Sequence, residues 1–297
     1  MSRIDEALRR VQNKDAETEP KPAEGQPLFA PAWSVTSTEH ARDLPRNTPA
    51  VSESARSFDH RQTAASGMLS LSSQWRERLA GGADGDPGLT EQFRRLAGVL
   101  HHAHQANGLK SVMVTSAAAG DGKTLTAVNL ALVLAESFRY NVLLVDADLR
   151  RPSIPSVVDL SDGSGLSEAL RAPTEQKLAL VSITSRLTIL PAGQPIANSI
   201  EALTSPRMQQ ILAEASTRFD WVILDAPPVG PTADARLLTS LVGGTLFVIH
   251  AGQTQYPEVQ KAIDTLGREQ ILGVVLNGVQ GMTEHAYYGV QPGNGKG

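Results

Sequence analysis

The stretch from Val112 to Thr124 (Val-Met-Val-Thr-Ser-Ala-Ala-Ala-Gly-Asp-Gly-Lys-Thr) constrains the fold more than any other part of the chain. A short apolar run gives way to small residues and two glycines. Lys-Thr then opens a helical pattern carried by Ala127, Leu130, Ala131, Val133 and Leu134. A strand, a tight loop and a helix N-terminus in that order make a phosphate-binding turn. Glycines let the backbone curl so that several N–H groups point inward, and the helix start adds the positive end of its dipole. Gly120, Asp121, Gly122, Lys123, Thr124 and Leu125 are the candidate nucleotide cradle. Lys123 is placed to reach the β/γ-phosphates, and the Thr124 hydroxyl to ligate Mg²⁺. The match is to the G-x-G-K-T end of a P-loop, because Ala117 stands where the full pattern has its first glycine. Gly120-Asp121-Gly122 also begins a dinucleotide G-x-G-x-x-G, with Asp146 at the end of the next strand pattern. Its third glycine position is Leu125, however, and NAD has no use for the Lys-Thr pair.

Composition removes several alternatives. The chain of 297 residues has room for one large or two modest domains, and its formal net charge of −4 does not suggest a nucleic-acid binder. There is no cysteine, which excludes disulfides, thiolate catalysis and Cys-based zinc sites. The N-terminus lacks the apolar core of a signal peptide, and no apolar run approaches the ~20 residues of a membrane span. A cytoplasmic protein without a transmembrane segment is expected, with any membrane association made through a partner.

Ser2–Gln12 has the pattern of a short helix, with Ile4, Ala7, Leu8 and Val11 on one face. From Asn13 to about Ser66 the chain is rich in Pro, Ser, Thr, Ala, Glu and Arg, too poor in apolar residues to offset its ordering entropy. Residues 1–88 are therefore expected to be mostly disordered, with a docking patch at Leu69, Leu71, Trp75 and Leu79 and a flexible break at 81–88. Thr90 is the expected cap of a first helix running to about Gln105. Its His101, His102 and His104 are better explained by solvent and the helix dipole than by a metal.

Strand patterns then appear at 111–115, 141–146, 187–190, 221–225, 244–250 and 271–276, with helical patterns at 123–138, 205–218, 232–241 and 257–268. This alternation, with strands apolar on both faces, predicts an α/β fold: a mostly parallel sheet with helices on both faces, spanning 89–281. A flexible tail, 282–297, follows. Ligands of such sheets bind beyond the carboxyl ends of the strands. That edge gathers the P-loop, Asp146-Ala147-Asp148 and Asp225. Two carboxylates spaced i, i+2 suit one Mg²⁺ ligand and one proton acceptor. Val222-Ile223-Leu224-Asp225-Ala226-Pro227-Pro228 has the form of a Walker-B segment, whose Asp holds the metal.

These segments resemble the bacterial tyrosine kinases of capsule and exopolysaccharide synthesis, relatives of the septum-placement and plasmid-partition ATPases. The matching elements are Thr115-Ser116 through Thr124, Asp146-Ala147-Asp148-Leu149-Arg150 and Asp225-Ala226-Pro227-Pro228. Gly165–Leu170, Leu190-Pro191-Ala192-Gly193 and Gly273–Asn277 are similar to further family landmarks, as is the opening Ser2–Arg10. The resemblance implies a P-loop fold and an ATP- and Mg²⁺-dependent tyrosine autokinase. Lys123 would be its phosphate-binding catalytic lysine, Thr124 and Asp148 its metal ligands, and Asp225 a ligand through water. Asp146 would be the base, in a role that Asp148 could exchange with it, and Asn277 would contact the nucleotide. No guanine-reading Asn-Lys-x-Asp follows the last strand, so ATP is expected over GTP.

The phosphoacceptors implied are Tyr287 and Tyr288, where the family usually carries a larger tyrosine cluster. The implied partners are a membrane-bound polysaccharide co-polymerase as activator and further copies of this chain. Location at the inner face of the cell membrane would then come through that partner. Ala118 replaces the signature lysine of partition-type loops. Ala119 and Asp121 replace Pro and Glu, which predicts a looser loop, and Ala97 replaces the last arginine of an assembly motif begun by Glu91 and Arg94. The alternative function is an ATPase switch of polysaccharide export that phosphorylates nothing.

Overall fold

The computed structural model describes residues 78–80, 86–158, 160, 163–172, 177–230 and 232–279. The Ser2–Gln12 helix, most of the 1–88 region and the 282–297 tail with Tyr287 and Tyr288 lie outside the described residues. Helix α1 (Pro87–Asn107) begins three residues before Thr90, because Asp86-Pro87 supplies both a cap and a proline at the first helical position. The Asp86 carboxylate accepts from the Gly88 N–H (2.8 Å), and the Thr90 hydroxyl donates to the Asp86 carbonyl inside the first turn. Gly108, in the left-handed conformation, closes the helix by donating to the His104 carbonyl.

Strands β1 (Ser111–Ser116), β2 (Val142–Asp146), β3 (Val181–Ser182), β4 (Leu187–Leu190), β5 (Trp221–Asp225), β6 (Thr245–His250) and β7 (Ile271–Asn277) form one sheet in the order β3-β4-β2-β5-β1-β6-β7. All pairings are parallel except the edge pair β3–β4. Between the strands run α2 (Lys123–Glu136), α3 (Ile154–Val157), α4 (Leu166–Arg171), α5 (Ser199–Leu203), α6 (Pro206–Arg218), α7 (Asp234–Thr239) and α8 (Tyr256–Leu266). The longer elements match the sequence pattern to within a few residues. The pattern misses α3, α4, α5 and β3, which are too short to show a period.

Alternation along the central strands explains why they are apolar throughout. Val112, Val114, Leu144 and Ile223 enter one core, shared with α1 and α2. Met113, Leu143, Val145, Val222 and Leu224 enter the other, shared with α6, α7 and α8. Helices thus cover both faces, and the charged residues that end β2 and β5 meet only at the carboxyl edge.

Leu79 is fully buried in the α1/α2 core. The neighbouring backbone is held to α2 by one side chain: Asn129 Oδ1 accepts from the Ala80 N–H (2.7 Å) and Asn129 Nδ2 donates to the Arg78 carbonyl (2.9 Å). The expected docking of Leu79 is therefore observed; Leu69, Leu71 and Trp75 lie outside the described residues. Ala97 is buried in the same core, so its side of α1 faces inward, whereas Glu91 and Arg94 stand half exposed beside each other.

At the amino end of the sheet the histidines of α1 do not simply face solvent. His101 Nδ1 shares a hydrogen bond with the Tyr140 hydroxyl (2.6 Å), and His104 Nδ1 with the Leu109 carbonyl (2.7 Å). Both rings join Tyr140 in an aromatic cluster, which Phe138 enters beside His101 and Trp221 beside His104. Of the three, His102 is the one left exposed. The packing value of an imidazole next to aromatic rings outweighs the dipole argument here.

Candidate active site

The P-loop runs from the end of β1 to the start of α2. Gly120 (φ 91°) and Gly122 (φ 93°) both take the left-handed backbone that turns the loop, and a Cβ on Gly122 would collide with the Asn277 side chain. No side chain caps α2 at Gly122. The Gly122 carbonyl accepts from Thr126, so the N–H groups of Lys123, Thr124 and Leu125 are the uncapped first-turn donors at which an anion is stabilised.

The predicted looseness of this loop is not found. Asp121 is buried; its carboxylate accepts from the Ala118 N–H (2.9 Å) and from the Thr254 hydroxyl (2.8 Å), and its carbonyl accepts from Asn277 Nδ2 (2.9 Å). The shorter aspartate still reaches across its own loop, and the turn after β6 and the end of β7 deliver Thr254 and Asn277 to hold it. Thr115 at the end of β1 donates to the Pro227 carbonyl (2.7 Å), which joins the P-loop strand to the Walker-B loop.

The topology brings the three motifs together. β5 lies between β1 and β2, and Asp146 and Asp225 are direct register partners on parallel neighbours. Lys123 Nζ lies 3.3 Å from Asp148 Oδ2, 4.0 Å from Asp225 Oδ1 and 3.4 Å from the Thr124 hydroxyl. Asp146 points into its own loop: Oδ1 accepts from the Asp148 N–H and Oδ2 from the Ile154 N–H, each at 3.2 Å. Asp148 Oδ1 accepts from the Arg151 N–H (3.1 Å). The Thr124 hydroxyl shares a 2.7 Å hydrogen bond with Ser153, a residue the motif reading did not single out.

Three carboxylates and one ammonium, all largely buried, leave two negative charges uncompensated. The titration behaviour follows. Burial raises Asp146 well above the usual carboxylate range, and the Asp225 charge beside it adds to the rise. Burial likewise pushes Asp225 up to about 6, against the opposing pull of Lys123. Burial would lower Lys123, but the charges of Asp225 and Asp148 outweigh it and its pKa is raised.

Among the described residues neither oxygen of Asp225 has a hydrogen-bond partner in good geometry; Lys123 and Thr124 act on it only from nearby. A fully buried carboxylate with unused lone pairs, next to Asp148 and a threonine hydroxyl, is a hard-oxygen donor set that suits Mg²⁺. Among the described residues no three His, Cys, Asp or Glu side chains converge to hold a metal alone. A site completed by phosphate oxygens has that character.

Two features flank this centre. Glu168 on α4 accepts from the N–H groups of Gly165 (2.6 Å) and Gln194 (3.1 Å), and those hydrogen bonds overcome its partial burial and lower its pKa. It thereby joins the 165–170 and 190–193 segments, and the latter reaches the acidic loop through Ile196 N–H to the Leu149 carbonyl. Asp234, at the head of α7, is fully buried and binds Arg150 and Ser199. Single polar residues in loops carry no local signature, so sequence reasoning missed Ser153, Thr254 and Asp234.

Comparison with known proteins agrees with this geometry. A family profile described as ParA, with the legend NUBPL iron-transfer P-loop NTPase, matches residues 109–288. With no cysteine the chain offers no thiolate to iron. Tyrosine-protein kinase YwqD of Bacillus subtilis is 35% identical over 207 residues, 68% of this chain and 87% of that protein. The succinoglycan biosynthesis transport protein ExoP of Rhizobium meliloti is 33% identical over 172 residues, 56% of this chain but 22% of that longer protein. The solved kinase domain of Escherichia coli tyrosine kinase ETK superposes with a TM-score of 0.60 at 33% identity, covering 64% of this chain and 75% of that one. Among the described residues no helix is long and apolar enough to cross a membrane. The chain belongs to the bacterial protein-tyrosine kinases, within the ParA-type P-loop NTPases.

Proposed function

We propose that this protein is an ATP- and Mg²⁺-dependent protein-tyrosine autokinase that phosphorylates Tyr287 and Tyr288 on a neighbouring copy. It acts in exopolysaccharide or capsule polymerisation and export, activated by a membrane-bound polysaccharide co-polymerase. The observation that carries the reading is the buried Lys123–Asp148–Asp225 group on a P-loop, in which neither Asp225 oxygen has a well-formed hydrogen bond among the described residues. The names of the relatives YwqD and ExoP support the kinase and polysaccharide parts respectively.

The first-turn N–H groups of α2 and the Lys123 ammonium bind the phosphates, and Asn277, beside Gly122, contacts the nucleotide. Thr124, Asp148 and Asp225, the last through water, would hold Mg²⁺, which when bound neutralises charge on the phosphoryl oxygens. Asp146 takes the proton of the incoming tyrosine hydroxyl. Its raised proton affinity, caused by burial and the Asp225 charge, favours uptake of that proton. The tyrosine oxygen then bonds to the γ-phosphorus while the bond to the ADP oxygen breaks. Because Asp146 is fully buried, the hydroxyl reaches its free lone pairs only once the surrounding side chains move.

The test is phosphosite mapping by mass spectrometry on purified protein incubated with Mg-ATP, beside Lys123→Met. Phosphotyrosine at 287 or 288 that vanishes in the variant is expected. ATP turnover that needs Lys123, without phosphotyrosine in the presence of the activator, would replace the kinase with a switch ATPase.

A further inference from the structure

Asp234 has no part in the chemistry above, yet the fold buries its carboxylate completely. Oδ2 accepts from the Ser199 hydroxyl at 2.6 Å and from Arg150 Nε at 3.0 Å, while Oδ1 has no partner among the described residues. A buried ion pair is weak evidence for stability, because desolvation consumes most of the attraction. What it does well is fix a side chain. Arg150 is held by Nε alone, and among the described residues its two terminal nitrogens make no hydrogen bond or ion pair. Its side chain remains 35% exposed. The result is a guanidinium fork, anchored at its base and open at its tip, the geometry that takes a carboxylate or phosphate through two parallel hydrogen bonds.

The position of the fork narrows the ligand. Arg150 lies two residues beyond Asp148, and Asp234 nine beyond Asp225, so their pairing ties together the two loops that carry the acidic centre. The pair lies on the α5/α7 side of the sheet, whereas the P-loop opens into α2 on the other face. In-line displacement brings the acceptor hydroxyl to the side of the γ-phosphorus opposite ADP, towards the loops after β2 and β5. Arg151, exposed and also without an ion pair among the described residues, adds a second positive charge to this rim. The chain's own acceptor segment supplies a matching anion, since Glu284 stands three residues before Tyr287.

We infer that Arg150, positioned by the buried Asp234 carboxylate, binds the acceptor segment by a carboxylate flanking its tyrosine, with Glu284 as that group in autophosphorylation. This rests on the autokinase reading. The experiment separates the two by measuring binding apart from turnover. Full-length protein with Mg-ADP is titrated into a fluorescent peptide of residues 282–297 carrying Tyr287→Phe and Tyr288→Phe, and into the same peptide with Glu284→Gln.

Wild type is expected to prefer the Glu284 peptide by about fivefold or more, the size of one charge-assisted contact. Arg150→Gln should erase that preference, and Asp234→Asn should reduce it while Ser199 keeps its acceptor. Both variants should retain fluorescent-ATP affinity, which also reports that they are folded. Equal binding of the two peptides by wild type, or a preference that survives Arg150→Gln, overturns the inference. So does a loss of ATP affinity in Arg150→Gln with the preference intact, which would assign the fork to nucleotide. The kinase reading fails separately, if the tyrosine-containing peptide gains no phosphate.

Discussion

The two ends of the sheet bury polar groups under opposite rules. At the amino end, His101, His104, Tyr140 and Trp221 pack ring against ring, with the imidazoles hydrogen-bonded to a hydroxyl and a carbonyl. Among the described residues the Trp221 indole N–H has no partner, but it is neutral and its burial costs little beside that of a charge. At the carboxyl end, Asp146 and Asp225 are buried face to face, and both are pushed towards protonation. The same strands run through both regions. Electrostatic strain confined to one end, where no packing requirement explains it, marks the place where binding energy is to be received.

The contrast can be broken most severely at Lys123, among the described residues the one cation in contact with the acidic centre. Lys123→Met should cut tyrosine phosphorylation by at least about 100-fold, as losing a fixed electrostatic contact to a transferring phosphoryl group does. At the other end, Trp221→Ala should cost about 3–5 kcal/mol of stability through lost packing. The melting-temperature rise caused by Mg-ATP should survive, provided it is measured where the variant is folded. If that rise disappeared, the two ends would not be separable. The smallest effect is expected at Thr254→Val, which removes one hydrogen bond to the buried Asp121 carboxylate. It should raise the KM for ATP by less than about tenfold, the equivalent of ~1.4 kcal/mol or less, without changing which residue is phosphorylated.

Legibility in the sequence divides in the same way. The carboxyl edge was readable because glycines, Lys-Thr and strand-terminal aspartates are local signals with a chemical reason to be neighbours. β-α alternation alone was enough to bring them to one edge. What escaped were contacts made by single residues across long separations: Thr254 to Asp121, Ser153 to Thr124 and Asp234 to Arg150. Such pairs follow from how the loops fold back, and nothing in the local pattern records them. The expected looseness of the P-loop failed for this reason, since the clamp comes from the turn after β6 and the end of β7. The helix start was mislocated for a different one: Asp86-Pro87 is a complete start signal that lay inside a glycine-rich run read as a break. At the amino end, closeness to a helix C-terminus and its dipole points the histidines to solvent, but the facing aromatics come from the turn after α2 and from β5.

On the proposed function, the carboxyl end carries negative charge in excess, held for a metal-bound nucleotide. Asp225 tests it. Its folded pKa of about 6 lies above the ordinary carboxylate value of about 3.9. The native state therefore holds a proton more tightly than the unfolded chain, and this group's contribution to stability falls as pH rises through about 4 to 6. By about pH 7.5 the penalty is on the order of 3 kcal/mol.

The decisive measurement is the melting temperature of wild type and Asp225→Asn at pH 7.5 and pH 5, with and without Mg-ATP. At pH 7.5 and without ligand the variant is expected to melt higher than wild type, to lose part of this advantage at pH 5, and to lose most of the Mg-ATP stabilisation. A variant that melts lower at pH 7.5, or that keeps the full Mg-ATP shift, would contradict this reading.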